Sequence, residues 1–89
     1  MNIGVIGLGY VGLTFSVVVG LKGINVIALE KSELIKENLK KCKAHFFEPG
    51  LDDLLKVLMN RHLFVKESYS KEDIIDIFFI TVGTPLLSG

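Results

Sequence analysis

Three glycines near the start of the chain have the spacing of a nucleotide-binding turn. Gly7, Gly9 and Gly12 match G-x-G-x-x-G and directly follow the apolar run Asn2–Ile6. In such a pattern the first glycine allows a tight turn, the second close approach to a pyrophosphate, and the third close packing of helix on strand. We therefore expect the backbone N–H groups from Leu8 to Gly12 to face a pyrophosphate at the positive end of a helix.

Glu30 supplies the second part of the same chemistry. It directly follows another apolar run, Ile24–Leu29, and stands 18 residues past Gly12. Dinucleotide-binding units have an acidic residue roughly 20 residues past the glycines. A carboxylate there can accept both hydrogen bonds of an adenosine ribose diol. It would repel a 2′-phosphate by about 1 kcal/mol at 4 Å in water, and by more when partly buried, so Glu30 predicts NAD rather than NADP. The adjacent cation of Lys31 weakens this inference.

The elements that must hold these residues alternate between strand and helix. The strand Asn2–Ile6, the glycine turn, a buried helix through Leu21 and the strand Ile24–Leu29 form one βαβ unit. Because both strands are apolar on both faces, they are predicted to lie in a parallel sheet covered by helices.

Two helices are predicted in the middle of the chain. Ser32 can cap a helix from about Glu33 to Lys41, and Pro49 suits the first turn of an amphipathic helix that ends near Asn60. The side chains expected to face inward from the first of these helices are Leu34, Ile35 and Leu39.

The last third of the chain is predicted to add two strands and a short helix. Leu63–Val65 is a weak third strand, Ser70–Asp73 has the spacing of a capping box, and Ile77–Val82 is a fully apolar fourth strand. Right-handed crossovers give the strand order 3-2-1-4. The chain stops at Gly89, just past a strand of the buried type. We therefore expect residues 1–89 to be an α/β, Rossmann-type domain that is incomplete at its carboxyl terminus. Such a domain should be marginally stable and prone to self-association along the fourth strand.

Composition excludes several other classes of protein. The 89 residues carry ten Lys and Arg against ten Asp and Glu, so no basic surface for nucleic acid is expected. The single Cys42 excludes an internal disulfide and fits a reducing, cytoplasmic setting. His45 and His62 stand alone, so no metal site is expected. Glycines interrupt the uncharged stretch Met1–Leu21, which argues against a signal peptide or a membrane segment.

Other interpretations of the same residues remain open at this point. Glycine-rich turns also bind flavins or S-adenosylmethionine, and some are purely structural. The aromatic side chains expected in the core, rather than at a ligand, are Phe46, Phe47, Phe78 and Phe79.

Four motifs together resemble one family. They are GLGYVGL at Gly7–Leu13, the acidic Glu30, FFEPGL at Phe46–Leu51 and VGTP at Val82–Pro85. Their order and spacing are similar to those of the NAD-binding domain of the UDP-glucose/GDP-mannose dehydrogenase family, over essentially the whole chain. The GYVGL and EPGL motifs together are much more specific than the glycine pattern alone, because most Rossmann enzymes lack EPGL.

The resemblance implies a function and assigns residues to it. Enzymes of this family oxidise the 6-hydroxyl of a nucleotide sugar to a carboxylate, with two NAD molecules in succession and an enzyme-bound thioester. The resemblance assigns Tyr10 and Val11 to the pyrophosphate turn with their neighbours, and Glu30 to the adenosine ribose. It places three further residues at the nicotinamide half of the cofactor: Val82, Gly83 and Thr84.

The resemblance also implies what this chain does not contain. The family's nucleophilic cysteine, its catalytic lysine and its sugar-binding domain lie further along the sequence, so no catalytic residue is expected here and the chain alone is expected to be inactive. A full-length enzyme of this kind is expected to bind a nucleotide sugar through that second domain and to form a homo-oligomer.

Several positions depart from the family pattern. Glu30 replaces the usual Asp, and Ile35 stands where a basic residue is common, for which Lys31 or Lys36 could compensate. Cys42 stands where glycine is common. Two alternatives are a dehydrogenase of the 6-phosphogluconate or hydroxyacyl type, which the EPGL motif argues against, and a non-enzymatic module that senses a nucleotide.

Overall fold

The computed structural model describes residues 1–81, which form a four-stranded parallel sheet flanked by helices. The strands are β1 (Asn2–Ile6), β2 (Asn25–Leu29), β3 (Leu63–Lys66) and β4 (Ile77–Ile80). The helices are α1 (Tyr10–Leu21), α2 (Glu33–Lys40) and α3 (Leu51–Leu58). The strand order is β3-β2-β1-β4, which confirms the predicted order and the Rossmann-type architecture.

One apolar cluster joins the sheet to the three helices. Val5 and Val26 from the two central strands are fully buried, and so are Leu13 of α1 and Leu55 of α3. Burying a side chain of this size contributes about 1.5–3 kcal/mol, so the cluster is the main stabilising feature of the domain. Ser16, the buried polar side chain of α1, donates its hydroxyl hydrogen to the Gly12 carbonyl at 2.7 Å.

The segment between β3 and β4 covers the middle of β1 with an aromatic ring. A Cβ atom on Gly4 would lie 2.7 Å from Tyr69 Oη and 2.9 Å from Phe78 Cδ1, so a larger residue at this strand position would force these side chains to move. The Tyr69 hydroxyl donates to the Ile27 carbonyl of β2 at 2.9 Å. Burial, with a smaller contribution from the charge of Asp73, raises the pKa of Tyr69.

The prediction of a short helix at Ser70–Asp73 is wrong, because this segment forms a turn. The Ser70 N–H does donate to the Asp73 carboxylate at 2.8 Å, as a capping box requires. The same carboxylate, however, accepts a hydrogen bond from Lys66 Nζ of β3 at 2.6 Å, which holds the pKa of Asp73 below its usual range. The chain then reaches β4 at once, and the Asp76 N–H donates to the Asn2 carbonyl at 2.9 Å. This attachment to the sheet leaves no room for a helical turn.

Two details of the middle helices also differ from expectation. Leu34 is 70% exposed, whereas Leu39 is buried. These two positions lie about 140° apart around a helix of 3.6 residues per turn, so they cannot both face the sheet. Helix α3 begins at Leu51 and has Gly50 in the left-handed conformation (φ 82°) as its N-cap, so Pro49 precedes the helix rather than lying in its first turn.

The aromatic residues divide between the core and the surface. Phe46 packs against the core, and Phe79 stacks on Phe15 of α1 at 3.9 Å between ring centroids. Phe47 is 89% exposed and Phe78 is 51% exposed, so the expectation that these two rings lie in the core is wrong. Phe47 lies in a loop, and Phe78 lies on a strand that pairs only with β1 among the described strands.

Cys42 adopts a backbone conformation that favours glycine. It lies just past the C-cap of α2 with φ 60°, where a side chain costs about 1–2 kcal/mol, while glycine costs about 0.5–1 kcal/mol in chain entropy. Cys42→Gly should therefore unfold at a higher temperature than Cys42→Ala by a few degrees, since each variant loses the thiol and only one relieves the strain. Thermal melts of both variants check this, and equal melting temperatures would contradict it.

Candidate dinucleotide-binding site

The three glycines of the turn each meet the requirement that their spacing predicts. Gly7 has φ 95°, and a Cβ atom there would collide with the backbone oxygen of Thr81. A Cβ atom on Gly12 would collide with the Gly7 carbonyl, so the helix packs directly on the turn. A Cβ atom on Gly9 would meet nothing within 4 Å. The open space beside Gly9 is where a ligand can approach the backbone.

The start of α1 presents four backbone N–H groups without an acceptor among residues 1–81. The first helical hydrogen bond runs from the Leu13 N–H to the Gly9 carbonyl at 2.9 Å. Four N–H groups before Leu13 have no acceptor among the described residues; they belong to Gly9, Tyr10, Val11 and Gly12. Helix α1 carries no acidic residue in its first turn, so this positive end remains uncompensated by the helix itself. Such a set of donors suits a pyrophosphate.

The expectation that the Leu8 N–H also faces the pyrophosphate is wrong. This N–H donates to Glu30 Oε1 at 2.7 Å, and the second oxygen of the same carboxylate accepts from the Ser32 N–H at 2.9 Å. Glu30 thus joins the glycine turn to the end of β2. Each carboxylate oxygen keeps a further lone pair, so Glu30 can still accept hydrogen bonds from a ribose.

A cavity of about 230 Å³ lies beside this carboxylate, at the carboxyl ends of β1, β2 and β3. Its lining consists of Ile6, Gly7, Leu29, Glu30, Lys31 and Glu67. Ligands of open parallel sheets bind at this edge. Sequence reasoning missed Glu67, although its position two residues past the third predicted strand was a signal that could have found it.

Lys36 is already paired with carboxylates and is therefore not a free cation beside this cavity. Its ammonium group pairs with Glu67 and, at 3.0 Å, with Glu33, and its side chain is only 11% exposed. The hydrogen bond with Glu67, followed by that with Glu33, raises the pKa of Lys36. Lys31 forms no ion pair within the described part of the chain, so of the two lysines it is the one that can meet a ligand phosphate.

The FFEPGL loop lies against the glycine turn. The rings of Tyr10 and Phe46 are 5.0 Å apart between centroids, and the Ala44 N–H donates to Asp52 Oδ1 of α3 at 2.8 Å. The loop therefore supports the first residue of α1 from the side of α3.

The end of β4 approaches the same turn. The Thr81 hydroxyl donates to the Gly7 carbonyl at 2.9 Å, a contact that no motif in the sequence indicated. The residues assigned to the nicotinamide half, Val82, Gly83 and Thr84, lie outside the described residues, directly after this contact.

Two kinds of site are not found in the part of the chain that the structure describes. Residues 1–81 contain no group of three or more His, Cys, Asp or Glu side chains arranged to hold a metal ion. None of α1, α2 and α3 is long and apolar enough to cross a membrane.

Comparison with known proteins identifies a matching family and several similar dehydrogenases. Residues 1–88 match the family described as the UDP-glucose/GDP-mannose dehydrogenase family, NAD binding domain. A UDP-glucose 6-dehydrogenase from Rickettsia conorii is 40% identical over 87 residues, which cover 96% of this chain and 20% of the relative.

Solved structures show the same likeness. The UDP-D-ManNAc dehydrogenase of Pyrococcus horikoshii superposes with a TM-score of 0.85 at 30% identity, covering 97% of this chain and 21% of that one. A ternary complex of GDP-mannose dehydrogenase from Pseudomonas aeruginosa superposes with a TM-score of 0.83 at 32% identity, covering 96% and 20%. The chain spans between 10% and 21% of the length of eight curated relatives that it matches.

Proposed function

Because this chain belongs to the UDP-glucose/GDP-mannose dehydrogenase family and corresponds to its NAD-binding domain, we propose that it binds NAD across the glycine turn and Glu30. The pyrophosphate is held by the N–H groups from Gly9 to Gly12 and by the positive end of α1. The adenosine ribose is held by Glu30. The observation that carries this proposal is the set of four N–H groups beside the open space at Gly9.

The contacts of Glu30 support the ribose assignment. Its carboxylate touches the glycine turn through the Leu8 N–H, so a ribose at Glu30 is next to a pyrophosphate at the turn, as a dinucleotide requires. The carboxylate charge disfavours a 2′-phosphate, and Lys31 is the nearby cation that would oppose this preference.

The whole protein is proposed to oxidise the 6-hydroxyl of a nucleotide sugar. NAD supplies the hydride acceptor when it is bound. The residues of this chain are proposed to orient that cofactor: the turn holds its pyrophosphate, and the chain that leaves β4 beside the contact between Thr81 and Gly7 directs the nicotinamide half. Binding energy at the turn and the ribose thereby holds the reactive ring in one orientation. The nicotinamide role of Val82, Gly83 and Thr84 stays a prediction, as do a homo-oligomeric enzyme, its sugar-binding domain and its cytoplasmic setting.

Titration of the protein with NAD and NADP tests the proposal. Calorimetry should show binding of NAD at a single site and weaker binding of NADP by at least about fivefold, since repulsion of about 1 kcal/mol corresponds to that factor. Absence of NAD binding would overturn the proposed function, and equal affinity for the two cofactors would overturn the role of Glu30 in their discrimination.

A further inference from the structure

Glu67 occupies a position in the cavity that the proposed function leaves unassigned. Leu29 of β2 pairs in register with Lys66 of β3, so Glu30 and Glu67 are the next residues on two neighbouring strands. Both line the cavity of about 230 Å³, together with the apolar side chains of Ile6 and Leu29. The cavity therefore combines apolar walls, which suit a flat ring, with a second carboxylate at the β3 side.

The order of the strands determines which part of a dinucleotide reaches Glu67. The pyrophosphate site is on β1, at the glycine turn, and the ribose site is on β2, at Glu30. The strand on the far side of β2 is β3. The base of a dinucleotide is attached to the ribose and points away from the pyrophosphate. With the ribose at Glu30, the base therefore lies toward the end of β3, directly before Glu67.

The Glu67 carboxylate, which is 73% exposed, pairs with Lys36 and is ionised. The ammonium group of Lys36 is shared between Glu67 and Glu33. The hydrogen bond from Lys36 lowers the pKa of Glu67, so this group carries no proton at neutral pH. An ionised carboxylate only accepts hydrogen bonds.

We propose that Glu67 selects the base of the dinucleotide by accepting a hydrogen bond from the exocyclic amino group of adenine. This inference rests on the proposed function. Adenine presents an amino donor at its six position, whereas hypoxanthine presents a carbonyl oxygen there, which a carboxylate repels. Glu67 is thus a specificity-determining residue for the base, while Glu30 is one for the ribose.

The test compares NAD with nicotinamide hypoxanthine dinucleotide, which differs at that position of the base. Calorimetric titration of the unmodified protein should give about tenfold tighter binding of NAD, the factor that corresponds to about 1.4 kcal/mol for one charge-assisted hydrogen bond. In Glu67→Gln the ratio should fall below about threefold, because a carboxamide can accept from adenine or donate to hypoxanthine. Glu67→Ala should lose the preference as well.

Glu33→Gln is the matched control, because Glu33 also pairs with Lys36 but does not line the cavity. It should keep the tenfold ratio. An unchanged ratio in Glu67→Gln, or no preference in the unmodified protein, would overturn the role of Glu67 while leaving NAD binding intact. A protein that binds neither dinucleotide would overturn the proposed function itself, and this inference with it.

Discussion

Gly9→Ala is expected to weaken NAD binding by at least about 100-fold while leaving the free energy of unfolding within about 1 kcal/mol of its starting value. The backbone of Gly9 is extended (φ −68°, ψ −164°), a conformation open to any residue. Its Cβ atom would meet nothing within 4 Å in the protein, so folding has little to lose. The same methyl group would fill the space through which a pyrophosphate reaches the N–H groups, and losing two or three such charge-assisted hydrogen bonds corresponds to a factor of this size.

Gly12→Ala is the matched variant, and its main expected effect is on the free energy of unfolding rather than on NAD binding. Its Cβ atom would collide with the backbone carbonyl of Gly7, which cannot rotate away as a side chain could. We expect a loss of about 1–3 kcal/mol in the free energy of unfolding, as for other overpacked sites. Urea unfolding and calorimetric titration of both variants measure the two effects. The account of the turn would be wrong if Gly9→Ala bound NAD normally or unfolded as easily as Gly12→Ala.

Glu30→Ala is expected to lower the affinity for NAD by about 10- to 100-fold and to reduce the preference for NAD over NADP. The variant removes the ribose acceptor and also leaves the buried Leu8 without its hydrogen-bond partner. An unsatisfied buried N–H costs about 1–3 kcal/mol, so the protein should also be less stable. A lower affinity alone would therefore not distinguish the ribose role from the support of the turn.

The ratio of NAD to NADP affinity separates these two roles of Glu30. Loss of support for the turn weakens both cofactors equally, because they share the pyrophosphate, whereas loss of the carboxylate charge favours the 2′-phosphate. Glu37→Ala removes an exposed carboxylate from α2 that pairs only with Lys40 among the described residues, and it should change neither affinity. An unaltered ratio in Glu30→Ala would show that this carboxylate does not contact the ribose.

The backbone of the site could be predicted from residue type, because only glycine satisfies the positive φ of Gly7 and the close contact at Gly12. The strand order followed from the rules of right-handed crossover and was confirmed. The positions of the glycines therefore predict the backbone conformation of a tight turn.

The side-chain contacts of the site could not be predicted in the same way. The hydrogen bond between Glu30 and the Leu8 N–H depends on the direction of one side chain, and the place of Glu67 beside Glu30 depends on the register of β2 and β3. The failed helix at Ser70 has a similar cause, since its capping hydrogen bond forms but the distant Asn2 carbonyl holds the Asp76 N–H and draws the chain into β4. Interactions between residues far apart in sequence leave no local pattern.

The amide resonances of the glycine turn give the most direct test of the central claim. In a ¹⁵N-labelled sample titrated with NAD, we predict that the largest shifts occur at Gly9, Tyr10, Val11 and Gly12 and follow one saturating curve. The Leu8 resonance should shift less, because its N–H already donates to Glu30. Inorganic pyrophosphate should move the same four resonances at higher concentration. Shifts that cluster elsewhere, such as at the start of α3, would contradict the proposed binding of the pyrophosphate at α1.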